Sequence, residues 1–359
     1  MRSTAYFSFL SVLILVPATT LGCSSFFWSQ SSERWVGKSY DWYQHHGSIM
    51  VNKRNMRKRA LSLDSDDKPA QWTSLYGSVT FHQHGRELPL GGINEKGLVV
   101  EILWLDDTEY PDWDNRPTVT ELQWIQYQLD KSSSLEEAVS AAKQIRVTKA
   151  YADVHYFICD KGGSCGTFEF LDGELVMYFG SKLPFPGLTN TPYFDSLDFL
   201  REHKGFGGSK KIPAGFESLD RFVRLAHLVQ HSNPLPRFRA IDTVLGALGS
   251  VRDPDSWRWN IAYELNHSRI HIRQSRDKKL RSISWKDFDF SCSKAVRVFD
   301  MGWPEDGNIT SAFKDYSTQF NKDLVELGLK DISSQLPAGT IQKVIAYPEK
   351  ATNCLEGEE

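Results

Sequence analysis

The sequence predicts an α+β layered fold, and three observations carry that prediction. Strand-like and helix-like blocks alternate along the chain, with turn-formers of the antiparallel type in both halves. No linker stands out and there are no repeats or low-complexity tracts, so residues 23–359 read as a single domain. Aromatic residues make up 13% of the 359, with 11 Trp, 13 Tyr and 21 Phe. Such a composition favours β-rich architecture and an apolar or aromatic ligand over a helical bundle.

Residues 1–22 read as a removable leader. Arg2 gives a positive start, Tyr6 to Val16 is an apolar run too short to cross a membrane, and Pro17 through Gly22 supply a breaker followed by small residues. No later stretch reaches the roughly 18 apolar residues a membrane span needs. The expectation is an exported protein, periplasmic or secreted, with no membrane partner after leader removal, beginning at Cys23.

Ser24 to Trp28, Trp35 to Trp42 and Ser48 to Asn52 alternate as strands between turn-formers. Val79 to His84 and Leu98 to Leu105 are strands, and Gly91-Gly92-Ile93-Asn94-Glu95-Lys96-Gly97 between them reads as a turn-rich connection. Thr118 to Leu129 is a helix, and Ser133-Ser134-Leu135-Glu136 is a capping box opening another that runs to about Ile145. His155 to Cys159, Gly166 to Phe170 and Leu175 to Tyr178 return to strand character, ending in the Pro- and Gly-rich Lys182 to Pro192. Glu217 to His231 and Pro236 to Leu248 are helices, the first with Phe222, Leu225, Ala226 and Val229 on one face. Asn260 to Phe299 is again strand-like.

Lys and Arg total 42 against 45 Asp and Glu, a net charge of −3. That balance offers no broad cationic surface for nucleic acid, and the basic run Lys53 to Arg59 reads as a solvated turn. His82-Gln83-His84 reads as an exposed strand stretch rather than a metal site, and no CxxC spacing occurs. Five cysteines are present. In an oxidising compartment an odd count leaves one thiol over. With Cys23 claimed by chemistry, Cys159, Cys165, Cys292 and Cys354 form two bridges in one of three pairings, and a local Cys159–Cys165 bridge suits the hairpin-like CDKGGSC.

An N-terminal Cys carries its own base. Its α-amino group, with an ordinary pKa of about 7.7 to 8.0, takes the thiol proton and later returns it to a leaving amine, so no distant His is required. The structural alternative from another class is a lipid-anchored binding protein attached through Cys23. Thr20, where a lipoprotein signal carries Leu, argues against it.

Five segments in order resemble the choloylglycine hydrolase and penicillin V acylase family, linear-amide hydrolases of the N-terminal-nucleophile superfamily. They are Cys23-Ser24-Ser25-Phe26, Gly37-Lys38-Ser39-Tyr40-Asp41-Trp42, Gly92-Ile93-Asn94-Glu95-Lys96-Gly97-Leu98, Leu188-Thr189-Asn190-Thr191-Pro192 and Leu219-Asp220-Arg221-Phe222-Val223-Arg224. The chain looks most similar to the exported, penicillin V acylase-like enzymes of Gram-negative bacteria. The resemblance implies a four-layer αββα sandwich of two antiparallel sheets, with Cys23 at the edge of the cleft between them. It implies that Asp41 orients the nucleophile and its amine, that the Asn190 side chain serves the oxyanion hole, and that Arg221, rather than Arg224 on the same helical face, is the active-site arginine. Lys38 falls where the family usually has Arg, keeping the charge and losing the bidentate fork. Trp104 falls where many relatives have Asn or Tyr; its backbone N–H serves the oxyanion hole whatever the side chain. With Trp42 it offers an aromatic wall to a flat or oily acyl group. The implied substrates are small acyl amides of the penicillin V type and N-acyl homoserine lactones, with conjugated bile salts as the alternative. No cofactor or metal is implied, and the resemblance suggests a homotetramer.

Overall fold

The computed structural model describes residues 22–62, 68–232 and 239–355. The leader read at 1–22 lies outside these apart from Gly22. The chain opens with β1 (Ser24–Gln30), β2 (Glu33–Asp41), β3 (Ser48–Asn52), β4 (Met56–Arg59), β5 (Gln71–Thr73), β6 (Ser78–His82), β7 (Pro89–Asn94) and β8 (Val99–Trp104). The middle holds β9 (Thr118–Thr120), α1 (Glu121–Lys131), α2 (Leu135–Gln144), β10 (Arg146–Thr148), β11 (Val154–Cys159), β12 (Cys165–Leu171), β13 (Glu174–Phe179), β14 (Gly187–Leu188), α3 (Tyr193–Arg201), α4 (Ser218–Gln230) and α5 (Ala240–Val251). The last part comprises β15 (Trp257–Glu264), β16 (Arg269–Gln274), β17 (Leu280–Ser284), β18 (Arg297–Asp300), β19 (Gly307–Asn308), β20 (Lys314–Asp315), α6 (Thr318–Gly328), α7 (Thr340–Ala351) and β21 (Thr352–Cys354).

Among the described residues two large sheets dominate. One has the order β14-β1-β2-β15-β16-β17-β19 and the other β13-β12-β11-β8-β7-β6-β3-β18-β20. Every pairing in them is antiparallel except β17 with β19. The sheets meet face to face through aromatic rings, Phe81 of β6 against Trp259 and Tyr263 of β15, each pair with centroids 6.4 Å apart. Helix α1 covers the second sheet, its Trp124 packed on Tyr156 and Phe168. Helices α4 and α5 cover the first over β1, β2 and β15. The result is the four-layer αββα sandwich, with one apolar core shared by both sheets. No helix of the described residues is long and apolar enough to cross a membrane.

The structure departs from the sequence reading at several places. The Gly91–Gly97 segment is only partly a turn: Gly91, Gly92, Ile93 and Asn94 are the end of β7. A Cβ on Gly92 would lie 2.5 Å from the Val79 carbonyl oxygen, so the glycine answers close strand approach rather than bending. The turn is Glu95–Gly97, held by Asn94, whose Oδ1 accepts from the Lys96 and Leu98 N–H groups. Thr118–Thr120 is a short strand ahead of α1, and the cap of α2 is Ser134, which accepts from the Glu137 N–H, one residue later than expected. The basic run is no solvated turn. Lys58 is buried and paired with Glu87 at 2.6 Å and Asp130 at 2.9 Å, because β4 pins the C-terminal strand β21 and the strand β5 under α1. His82 and Gln83 are buried rather than exposed: β6 is a central strand, and burial pushes His82 down to about 4. Helices α3, α6 and α7 have no counterpart in the sequence reading. The bridges are Cys159–Cys165 and Cys292–Cys354, with Cys23 free.

Candidate active site

Cys23 directly precedes β1. Pairing of Ser24 with Ser39 puts Cys23 beside Tyr40 on the side facing the second sheet, and Ser24 with Asp41 on the side facing the helices. Cys23 therefore stands just ahead of β1 on the inter-sheet side, lining a cavity there. It is 4% exposed, and its Sγ lies 3.8 Å from the Asp41 carbonyl oxygen.

The Asp41 carboxylate is fully buried. Its Oδ1 accepts from the Ser39 hydroxyl at 2.8 Å and its Oδ2 from the Asp253 N–H at 3.3 Å. Burial raises it to about 6, with the Arg221 charge as the chief opposing influence. A Cβ built on Gly22 would lie 2.8 Å from Asp41 Oδ2. The carboxylate thus sits against the backbone just ahead of Cys23, where a free α-amino group would stand once Gly22 is gone.

Arg221 enters from α4, wholly buried. One terminal nitrogen donates to the Gly22 carbonyl at 2.6 Å, to the Cys23 carbonyl and to Ser24 Oγ at 2.7 Å. The other donates to Asn190 Oδ1 at 2.7 Å, and Nε donates to the Phe216 carbonyl. Arg224 points elsewhere, to the Pro213 and Gly215 carbonyls. Because a guanidinium can only donate, Arg221 fixes which end of the Asn190 amide it faces: Oδ1 turns to the arginine and Nδ2 away from it. Nδ2 donates to the Trp104 carbonyl at 2.7 Å. Trp104 presents both backbone groups to that side, since Leu105 N–H pairs with Asp153 and Val154 N–H goes to the Tyr110 hydroxyl.

The cleft wall above Cys23 is aromatic. Trp42 and Trp104 have ring centroids 5.9 Å apart, and Trp104 Nε1 is anchored on Asp106 at 2.6 Å. Both rings line one cavity with Cys23 and Tyr40. Lys38 is placed differently from the expectation. Its ammonium donates to the Ile102 carbonyl between the sheets, where its charge opposes the burial of Glu101 and bears on Asp41 only as the weakest of that group's influences. Position 38 lies along β2 next to Ser25, two residues further along the strand pair than Cys23.

Sequence reasoning missed the residues that hold these groups. Ser218 is the first residue of α4, and its Oγ accepts from the Asn190 N–H at 2.8 Å and from the Thr191 hydroxyl at 2.7 Å. The buried pair His155–Glu169, 2.9 Å apart, fixes the same loop, His155 through the Thr189 carbonyl and Glu169 through the Tyr193 N–H. Nothing in the local sequence marks His155 or Glu169, because they reach the loop from the second sheet.

Residues 23–237 match the model of the linear amide C–N hydrolases, choloylglycine hydrolase family. A penicillin V acylase of Pectobacterium atrosepticum is 28% identical over an alignment of 254 residues that covers 65% of this chain and 66% of that protein's length. The solved penicillin V acylase from Agrobacterium tumefaciens superposes with a TM-score of 0.72 at 24% identity, covering 82% of this chain and 98% of its own. A conjugated bile acid hydrolase from Clostridium perfringens superposes with a TM-score of 0.63 at 16% identity, covering 78% and 97%. The match begins at Cys23 and takes in Asp41, Trp104, Asn190 and Arg221, and the chain belongs to the choloylglycine hydrolase family of linear amide C–N hydrolases.

Proposed function

We propose that this chain is an exported amidohydrolase whose active form begins at Cys23 and cleaves linear amides carrying an apolar acyl group, in the manner of the penicillin V acylase it is similar to. The single observation that carries the reading is Cys23 lining an aromatic-walled cavity, with Arg221 bonded both to the Cys23 carbonyl and to Asn190, whose Nδ2 donates to the carbonyl of the cavity residue Trp104. In the reaction, the α-amino group of Cys23 accepts the thiol proton as sulfur bonds to the scissile carbonyl carbon. The Asn190 amide and the Trp104 N–H receive the charge that develops on the carbonyl oxygen. The C–N bond then breaks, the amine leaves with the proton from the α-ammonium group, and a thioester remains. Water attacks the thioester, gives its proton to the same amine and releases the carboxylic acid. Asp41 keeps the amine beside the thiol, and Arg221 holds the strand that carries both by donating to the Cys23 carbonyl and Ser24 Oγ. N-acyl homoserine lactones fall within the same class, since the bond cleaved is again a linear amide. A homotetramer, suggested by the family resemblance, is part of the reading and is checked by light scattering on the purified protein.

The test is a comparison of kcat/KM for penicillin V, N-acyl homoserine lactones and glycine-conjugated bile salts. The reading expects turnover of the first two and poor turnover of the rigid steroid conjugates. A strong preference for bile salts would move the chain to the other branch of the family. Failure on every linear amide by protein correctly starting at Cys23 would overturn the reading.

A further inference from the structure

The loop that carries Asn190 is held from both sheets. On the side of the first sheet, Leu188 pairs with Ser25 of β1, two residues along from Cys23. From the second sheet, His155 of β11 holds the Thr189 carbonyl and Glu169 of β12 holds the Tyr193 N–H, one on each side of Asn190. Strand β11 is bonded to β8, with Val154 opposite Trp104. The grip on Thr189 therefore comes from the strand next to the one that presents the Trp104 backbone.

The charge state of the pair follows from what faces it. His155 Nε2 lies 2.7 Å from the Thr189 carbonyl oxygen, which can only accept, so Nε2 carries a hydrogen. Nδ1 lies 2.9 Å from Glu169 Oε1. Both Glu169 oxygens accept from the Tyr193 N–H, at 2.9 and 3.2 Å, and Tyr193 is the first residue of the nine-residue helix α3. A helix N-terminus favours a carboxylate over a neutral acid. Glu169 is thus the acceptor and Nδ1 the donor, which makes His155 an imidazolium.

Both side chains are fully buried. A buried ion pair adds little net stability, because the cost of taking two charges out of water offsets their attraction. What it does supply is direction, since charge-assisted hydrogen bonds are short and strong. Asn190 is the residue that this direction reaches. Its Oδ1 is fixed on Arg221, and Nδ2 has two hydrogens, one given to the Trp104 carbonyl. Where the other points is set by the backbone at 190, whose neighbours on either side are the ones the pair holds.

We propose that the buried His155–Glu169 ion pair is the positioning element of the oxyanion hole, setting through Thr189 and Tyr193 where the second Asn190 amide hydrogen points. The inference rests on the amide-hydrolase reading above for its effect on rate, while the hold on the loop can be read without turnover. The test is a double-mutant cycle of His155→Gln with Asn190→Ala, read as kcat and KM for penicillin V and N-hexanoyl homoserine lactone per titrated Cys23. His155→Gln is expected to lower kcat about 10- to 100-fold and to change KM less than about threefold, since a misplaced donor fails only in the transition state. In the Asn190→Ala background the same substitution should change kcat less than about twofold, because the donor it would misplace is already gone. Alkylation of Cys23 by iodoacetamide forms no oxyanion, so its rate should stay within about twofold of wild type.

His155→Gln/Glu169→Gln leaves no unpaired buried charge and repeats the cycle should His155→Gln alone not fold. Unchanged kcat, full additivity with Asn190→Ala, or an equal fall in the alkylation rate would overturn the proposal. Failure of both variants to fold would also overturn it, the pair then serving the fold and not the hole. If the wild type cleaves neither substrate, the hydrolase reading fails instead, and hydrogen exchange of residues 189–193 decides the pair's role separately. Faster exchange there in His155→Gln supports the hold on the loop, and unchanged exchange contradicts it.

Discussion

Asp41 and Asn190 are the two side chains whose chemistry the geometry constrains most. Asp41 is raised to about 6 by burial while Gly22 is still attached. A neighbouring ammonium group in the processed protein draws it down. The orienting charge is then lost as pH falls through this range, so kcat/KM should fall with a midpoint at or below about pH 6. Asp41→Asn should lower kcat roughly 100-fold and flatten that acid limb, which a pH–rate profile of both proteins reads directly. Asn190→Ala should cost on the order of 100-fold in kcat with a smaller change in KM, because the charge its amide meets exists only in the transition state. Normal turnover by Asn190→Ala would show that Nδ2 serves only to hold the Trp104 carbonyl. At this scale much was legible. Cys23, Asp41, Asn190 and Arg221 lie in short motifs, and the structure draws them together. Lys38 misled because a motif gives position along a strand and not the depth between two sheets at which the side chain ends.

The strands and helices most readily foreseen were those with a regular pattern and clear punctuation. Ser48–Asn52 matches β3 residue for residue, and α4 differs from its expected range by one residue at each end. The reading failed where tertiary packing outweighs local propensity. Gly91 and Gly92 are turn-formers by type but strand residues here, because neighbouring strands leave no room for a Cβ. Helices α6 and α7 escaped notice because their apolar positions face a cavity and a satellite cluster rather than the main core. Their attachment gives a prediction. The Cys292–Cys354 bridge spans 62 residues, and its loss should cost about 4 kcal/mol by loop-closure entropy. Denaturant unfolding of Cys292→Ser/Cys354→Ser measures it, and a change under 1 kcal/mol would mean the bridge adds little to the folded chain.

For the molecule as a whole, buried acids and buried histidines pull stability in opposite directions with pH. Glu101 is raised to about 7 by burial against opposing influences from Lys38 and the Tyr263 hydroxyl, and Asp41 to about 6. Both bind protons in the folded state at pH values where the unfolded chain has released them, so each destabilises the fold as pH rises through its folded value. His82 and His84 are held down near 4 and favour the unfolded chain as pH falls below its ordinary 6.5. These four groups oppose one another over the same pH range, so on their account the melting temperature should change little between pH 8 and about 5. A steady rise in stability toward pH 8 would contradict the burial of Glu101. Thiol labelling of the native, unreduced protein should modify one cysteine per chain, Cys23, the remaining four being bridged.

The claim on which the rest depends is that the nucleophile is a free N-terminal Cys23. Rapid quenching of the enzyme during turnover of an N-acyl amide, followed by intact-mass and peptide analysis, tests it in one measurement. The account predicts an acyl mass added to Cys23, found only on chains that begin at that residue. Equal acylation and turnover by chains still carrying Gly22 would contradict it, because the lone pair of an amide nitrogen is delocalised into its carbonyl and cannot act as the base.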